Sequence, residues 1–259
     1  MSEPHQQREA AEAFGSDPAL YDRARPRYPV ALIDRIVADA PGGSVLDVGV
    51  GTGILARQFL AAGCRVLGVD PDARLAAFAR GTGVDVEVST FEDWEAAGRT
   101  FDIVASGESW HWVDPTLGAA KAAEVLRPGG RFAAFWNTGQ PPVGLDEAFL
   151  EVYRRVLPES LARRLNREAM DQAHEALRAR TAAGIRAARA FDEPEQWSFE
   201  WSESYTREAW LDALQTTGGA IPDDRLGGLL EGVGQAITDV GGSFTMNYLT
   251  FAVTAVRLS

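Results

Sequence analysis

A single cysteine in 259 residues, Cys64, excludes an internal disulfide. It opens an apolar run, where a thiol behaves as a small buried hydrophobe rather than a reactive centre. Histidine is almost as scarce: His5, His111 and His174 lie far apart and form no ligand-spaced pair, so no metal site is expected. Positive charge is also in deficit. Lys and Arg number 25 against 37 Asp and Glu, a formal net charge of -12, whereas a nucleic-acid binder needs a basic surface to neutralise phosphates. No apolar run reaches the roughly 18 residues that cross a bilayer, and Met1 to Arg8 is polar with no apolar segment behind it. These absences predict a cytoplasmic protein without membrane or nucleic-acid partners.

What is present is an alternation. Apolar runs bounded by turn residues occur at 44–50, 65–70, 84–89, 101–107, 131–137, 197–205 and 244–256 and read as strands. Between the first five lie segments with helical spacing, at 54–63, 73–80 and 116–126, and 31–40 precedes them all. Such alternation implies a buried, mostly parallel sheet with right-handed crossovers. From Leu145 to Arg189 the chain is helical and rich in Arg, Ala and Glu, and reads as an insertion after the fifth strand. Between Glu151 and Arg189 nine arginines face five acids, a local excess that either solvates a helix face or attracts an anionic substrate.

The stretch SVLDVGVGTGILARQFL (44–60) carries the chemistry. Gly49, Gly51 and Gly53 occupy the first strand-to-helix turn, where ligands of open α/β sheets sit and glycine lets ligand approach backbone. A dinucleotide fingerprint reads G-x-G-x-x-G and presents a helix N-terminus to a pyrophosphate. Here the spacing is G-x-G-x-G, and Asp47 sits two residues ahead of it. A carboxylate there repels phosphate and suits an ammonium group, such as the amino-acid end of S-adenosylmethionine. Asp70, closing the second strand about 20 residues on, is placed to accept hydrogen bonds from both ribose hydroxyls.

Four segments in order, VLDVGVGTG, GVDPD, FDIVASGESWHW and LRPGGRFAAF, resemble the motifs of class I S-adenosylmethionine-dependent methyltransferases across residues 44–137. More narrowly, YDRARPRYP followed by HWVD is similar to the small-molecule branch that includes trans-aconitate methyltransferases. The resemblance implies that Asp47 and Gly49 hold the methionine ammonium, that Gly51 and Gly53 shape the loop, that Asp70 takes the ribose, and that Pro71 and Asp72 border the adenine. The adenine-contacting position falls at Thr90 or Phe91, where the family often has an acid, which leaves the adenine amino group to backbone or to Glu92. Tyr21 and Arg25 match residues that fold over the methionine end, where an arginine can pair with its carboxylate. Gly107 borders the same cleft.

At the mouth of the fourth strand, Trp110, His111 and Trp112, with Trp136 and Asn137 from the fifth, are expected around the acceptor. His111 is the candidate general base, although proximity and alignment alone supply much of the rate in such transfers. The expected fold is a Rossmann-like, mostly parallel seven-stranded sheet with helices on both faces, an antiparallel last strand and a helical insertion. Its parts are an N-terminal cap (1–40), a cofactor-binding core (41–137), a substrate lid (138–195) and the rest of the sheet (196–259). The expected reaction is in-line methyl transfer to a small molecule. A carboxylate acceptor is favoured by the arginine-rich insertion and the family branch, with a hydroxyl or an amine as alternatives. A nicotinamide-dependent oxidoreductase would share the sheet and Asp70 but lack Asp47; a non-catalytic binding protein would keep the loop without acceptor access.

Overall fold

The computed structural model describes residues 13–157, 167–217 and 221–259. His5, Glu159, Arg163 and Arg164 lie outside the described residues. Seven strands form one sheet in the order β3-β2-β1-β4-β5-β7-β6, namely β1 (Ser44–Val48), β2 (Arg65–Asp70), β3 (Asp85–Val88), β4 (Phe101–Gly107), β5 (Leu126–Gln140), β6 (Glu195–Thr206) and β7 (Ser243–Val256). Only β7 runs antiparallel, against β5 on one side and β6 on the other. The helices among the described residues are α1 (Pro18–Ala24), α2 (Val30–Ala38), α3 (Ile54–Ala61), α4 (Ala73–Gly81), α5 (Pro115–Val125), α6 (Leu145–Val156), α7 (Arg167–Ala188), α8 (Arg207–Gln215) and α9 (Asp223–Asp239). This is the expected fold class.

β1 pairs in parallel with both β2 and β4. The chain therefore reverses its direction of strand addition at β1, and the crevice between the β1 and β4 crossovers opens there, the place where such sheets bind ligands.

Two apolar layers flank the sheet. One contains Leu46, Val104, Phe132, Ala134, Trp136 and Phe251; the other contains Val45, Ile103, Ala133, Phe135, Phe59 and Leu32. Adjacent residues fall into opposite layers because strand side chains alternate. A third cluster, with Phe149, Tyr205, Leu229, Phe244 and Tyr248, joins α6, α8 and α9 to the overhanging ends of β6 and β7.

α1 starts at an Asp17 cap whose carboxylate accepts the Leu20 amide (2.9 Å), with Pro18 in the first turn. It stops at Arg25, driven to extended dihedrals by Pro26. β5 is longer than the apolar run 131–137 predicts. Leu126 already pairs with Phe101, the register slips before Ile103–Arg131, and residues 138–140 continue because β7 offers partners as far as Asn247. In the 138–195 segment, α6 packs on α9, while α7 packs on α5 and β7 and buries Thr181, Ala182 and Ile185. A Cβ on Gly184 would lie 2.2 Å from the Pro115 carbonyl oxygen, so that close helix approach requires glycine.

Among the described residues no helix is long and apolar enough to cross a membrane, and no group of three or more His, Cys, Asp or Glu side chains is placed to hold a metal ion.

Candidate functional site

The three glycines occupy the turn between β1 and α3, where the sequence places them. Gly49, Gly51 and Gly53 have φ of 71°, 55° and 87°, left-handed values that favour glycine. The amides of Gly49 and Val50 both donate to the Val69 carbonyl (2.8 and 3.2 Å), which fastens the turn to the end of β2. A side chain at Gly49 would meet Ser109 Cβ at 2.4 Å. Ser109 is held there because its hydroxyl and that of Ser106 both bond the Val48 carbonyl (2.7 and 3.0 Å). The turn is thus pressed between the ends of β2 and β4.

Asp47 lies beneath this turn at 1% exposure. Neither of its carboxylate oxygens makes a full hydrogen bond, although the Ala56 amide exerts a weak pull. Burial and then the charge of Asp70 push its pKa up to about 8, against a smaller pull from the Ala56 amide. Asp70, at the end of β2, is instead fixed: Oδ2 accepts the Gly51 amide and Oδ1 the Asp72 amide, both at 2.8 Å. Burial still raises it to about 6.

Glu108 is the third carboxylate, and nothing singled it out in sequence. It follows β4, adopts a left-handed φ of 57° and accepts the Asn137 amide at 2.6 Å. Its side chain is exposed to solvent, and the Asn137 amide and the Arg25 charge both favour its ionised form. Asp47 and Asp70 thus share the turn with raised pKa values, Asp47 partly because of the Asp70 charge, and a cation at Asp47 would relieve both causes.

The N-terminal elements cover this cleft. Tyr21 is raised by burial, lowered by Arg25, and raised by Glu108 and Asp70. The Arg25 guanidinium sits 5.0 Å from the Tyr21 ring centre and donates to the Thr216 carbonyl at the end of α8. Tyr28, also missed in sequence, packs edge-on against Phe135 (4.9 Å), and its hydroxyl would lie 2.4 Å from a Cβ on Gly107, which explains that glycine. Among the adenine candidates, Pro71 is exposed, and Asp72 caps α4 while its carboxylate takes the Arg74 guanidinium (2.6 Å). Thr90 bonds Asp93 (2.8 Å), Phe91 is buried among Trp94 and Trp110, and Glu92 accepts the Asp114 amide (2.7 Å).

Several acceptor-side expectations need correction. Trp110 is core at 3% exposure, its ring 4.7 Å from that of Phe132, so it does not wall a pocket. Trp136 and Asn137 do not converge, because neighbours on a strand face opposite ways. Trp136 stacks on Phe251 (5.3 Å) in one layer; the Asn137 side chain, on the other side, accepts from Thr250 Oγ1 (2.6 Å), which in turn accepts from Trp201 Nε1 (2.8 Å). His111 belongs with Trp136: its Nδ1 accepts the indole N–H at 3.2 Å, and burial together with Arg180 drops its pKa to about 4. A neutral imidazole that accepts at Nδ1 carries its proton on Nε2 and can only donate there, so a general-base role does not fit this arrangement. Trp112, partly exposed, lies 4.8 Å from the His111 ring.

Residues 46–134 match the family described as methyltransferase domain. An uncharacterized methyltransferase of Mycobacterium tuberculosis is 36% identical over 142 residues, 53% of this chain and 57% of its own length. A ubiquinone biosynthesis O-methyltransferase of Rhizobium etli is 36% identical over 128 residues, 47% of this chain and 45% of its own. The chain thus spans about half the length of these relatives. A putative type II methyltransferase from Anaeromyxobacter dehalogenans has the same fold, with a TM-score of 0.64 at 23% identity, covering 90% of this chain and 98% of that one.

Proposed function

We propose, from a chain whose residues 46–134 match the methyltransferase domain, that this protein is an S-adenosylmethionine-dependent methyltransferase acting on a small molecule. The observation that carries the reading is the unpartnered carboxylate of Asp47, buried under a left-handed glycine turn. A buried carboxylate without a partner is costly unless a ligand supplies one, and an amino-acid ammonium is a cation of the right size. A pyrophosphate against the same carboxylate would be repelled, which disfavours the nicotinamide reading.

When bound, S-adenosylmethionine supplies a methyl group made electrophilic by its sulfonium. Asp47 would take the ammonium and Gly49 would let it approach the backbone. Asp70, its two oxygens already oriented by the Gly51 and Asp72 amides, would use its remaining lone pairs on the ribose hydroxyls. Arg25 and Tyr21, lying over the cleft, would pair with the methionine carboxylate and exclude water. The acceptor would enter from the side of β4 and β5, where Glu108 and Asn137 stand. Catalysis by this arrangement is chiefly alignment of acceptor and methyl group, and His111 contributes as a neutral donor or a packing group. The branch resembling trans-aconitate methyltransferases remains the narrower reading, supported by the YDRARPRYP and HWVD segments.

Thermal denaturation tests the assignment. S-adenosylhomocysteine at concentrations far above its Kd should raise Tm by several degrees while NAD does not, since a ligand held only by the native state stabilises it by mass action. Stabilisation by NAD alone would reverse the assignment.

A further inference from the structure

The segment from Gly15 to Tyr28 crosses the carboxyl ends of four strands that are neighbours in the sheet, β2, β1, β4 and β5. A Cβ on Gly15 would lie 2.1 Å from Asp72 Oδ2, just past β2. Asp22 meets α3, the helix that leaves the glycine turn after β1. The Tyr28 hydroxyl closes on Gly107 at the end of β4, and the Arg27 carbonyl accepts Asn137 Nδ2 (3.4 Å) on β5. The segment therefore spans the row of strand ends in which the glycine turn stands.

Two adjacent residues of α3 tie it down, in different ways. Gln58 holds the root: its Nε2 donates to the Tyr28 carbonyl (2.8 Å) and its Oε1 accepts the Tyr28 amide (3.1 Å), a two-point clasp just ahead of α2. Arg57 holds the arm. Its Nη1 donates to the Thr52 carbonyl inside the glycine turn (2.8 Å) and to Thr82 Oγ1 at the C-cap of α4 (3.1 Å), while its Nη2 donates to Asp22 Oδ1 on α1 (2.5 Å). Thr82 gives its own proton to the Ala79 carbonyl (2.7 Å), so it meets Arg57 as an acceptor. The guanidinium is thus oriented by the core, and its rigid fork presents the remaining donors to Asp22. At 27% and 19% exposure, Arg57 and Asp22 escape much of the screening that makes surface ion pairs weak. The Arg23–Asp212 pair (2.9 Å) is more exposed, and Arg27, 3.9 Å from Asp22, belongs to the cap itself. Asp22 adjoins Tyr21 and precedes Arg25 by three residues, so its anchor fixes the rotation of α1 and with it the direction of both side chains.

We infer that Asp22 and Arg57 form a latch that positions the cap for the cofactor. Both are positioning residues, acting through Tyr21 and Arg25, and the pair sets how tightly and how long the cofactor is held. This rests on the methyltransferase reading. Because Arg57 also bonds the Thr52 carbonyl, the latch couples the turn that would receive the amino-acid end to the segment that would cover it. When the latch is cut, the closed cap becomes a smaller fraction of the population, and the apparent Kd rises as that fraction falls.

Calorimetry and stopped-flow dissociation of S-adenosylhomocysteine test this on Asp22→Asn, Asp22→Glu, Arg57→Met and the double variant Asp22→Asn with Arg57→Met. Asp22→Asn is nearly isosteric and leaves the bonds of Arg57 to Thr52 and Thr82 in place, so it cuts the latch without disturbing the turn. It should raise Kd at least about fivefold, chiefly through faster dissociation. Asp22→Glu should recover part of that loss. The double variant should bind no more weakly than Arg57→Met alone, since both substitutions remove one interaction. An unchanged Kd in Asp22→Asn, a ligand-free Tm that falls while Kd stays constant, or additive losses in the double variant each overturns the latch. A wild type that fails to bind S-adenosylhomocysteine overturns the methyltransferase reading together with the latch, whereas a wild type that binds no better than Asp22→Asn overturns the latch alone.

Discussion

Asp47→Asn separates what the fold needs from what the ligand needs. Asparagine keeps the shape and removes the charge. In the wild type without ligand, Asp47 titrates near 8 instead of 3.8. A carboxyl whose folded pKa lies above its unfolded value gives stability that is complete below about 4 and is lost as pH climbs toward 8. Within that window each pH unit costs on the order of 1 kcal/mol, so between pH 5 and 7 the wild type should lose roughly 2 to 3 kcal/mol that the variant keeps. For a chain of this length that corresponds to a Tm difference widening by about 5 to 10 °C. The assay is thermal denaturation of both proteins without ligand from pH 5 to 8, then with saturating S-adenosylmethionine. Ligand should close or invert the gap, because only the wild type gains a partner for its carboxylate. Parallel pH curves for the two proteins without ligand would refute the claim that Asp47 is buried without a partner.

Other consequences are equally direct. Gly49→Ala puts a Cβ 2.4 Å from that of Ser109 on a backbone with positive φ, so it should destabilise by roughly 2 kcal/mol or more and abolish cofactor binding, as read by chemical denaturation and calorimetry. Asp70→Ala should weaken cofactor affinity by about 1 to 3 kcal/mol, the scale of charged hydrogen bonds; unchanged affinity would contradict the ribose placement. His111→Ala should leave cofactor binding intact and reduce turnover only modestly, whereas loss of nearly all turnover, together with an acid limb in the pH profile that disappears, would restore it as a base.

The parts of the fold that follow from local pattern were legible. Apolar runs bounded by turn residues, with helical segments between them, marked out all seven strands, and the glycine spacing singled out the turn between β1 and α3. The misreadings come from properties that sequence carries weakly. β5 overran its apolar core because β7 supplied backbone partners, a tertiary effect. Trp136 and Asn137 were assigned to one pocket although strand alternation sends neighbours to opposite faces, a rule the sequence itself contained. Glu108 was passed over since a lone acid after a strand looks like any turn residue; only its left-handed φ and its bond to the Asn137 amide mark it out. Tyr248 was equally hidden, being one aromatic among many in a long strand until the sheet order stacked its ring on Trp201 and paired its hydroxyl with Tyr205.

The most direct test of the central claim is calorimetric titration of S-adenosylmethionine into the protein at pH 7 in two buffers of different ionisation enthalpy. If Asp47 is held largely protonated at neutral pH before binding and ionises when the ammonium arrives, most of one proton should be released per ligand bound. Asp47→Asn should lose that release along with much of the affinity. Binding with no proton release, or no binding of S-adenosylmethionine where NAD binds, would contradict a cleft built around a cationic amino-acid tail.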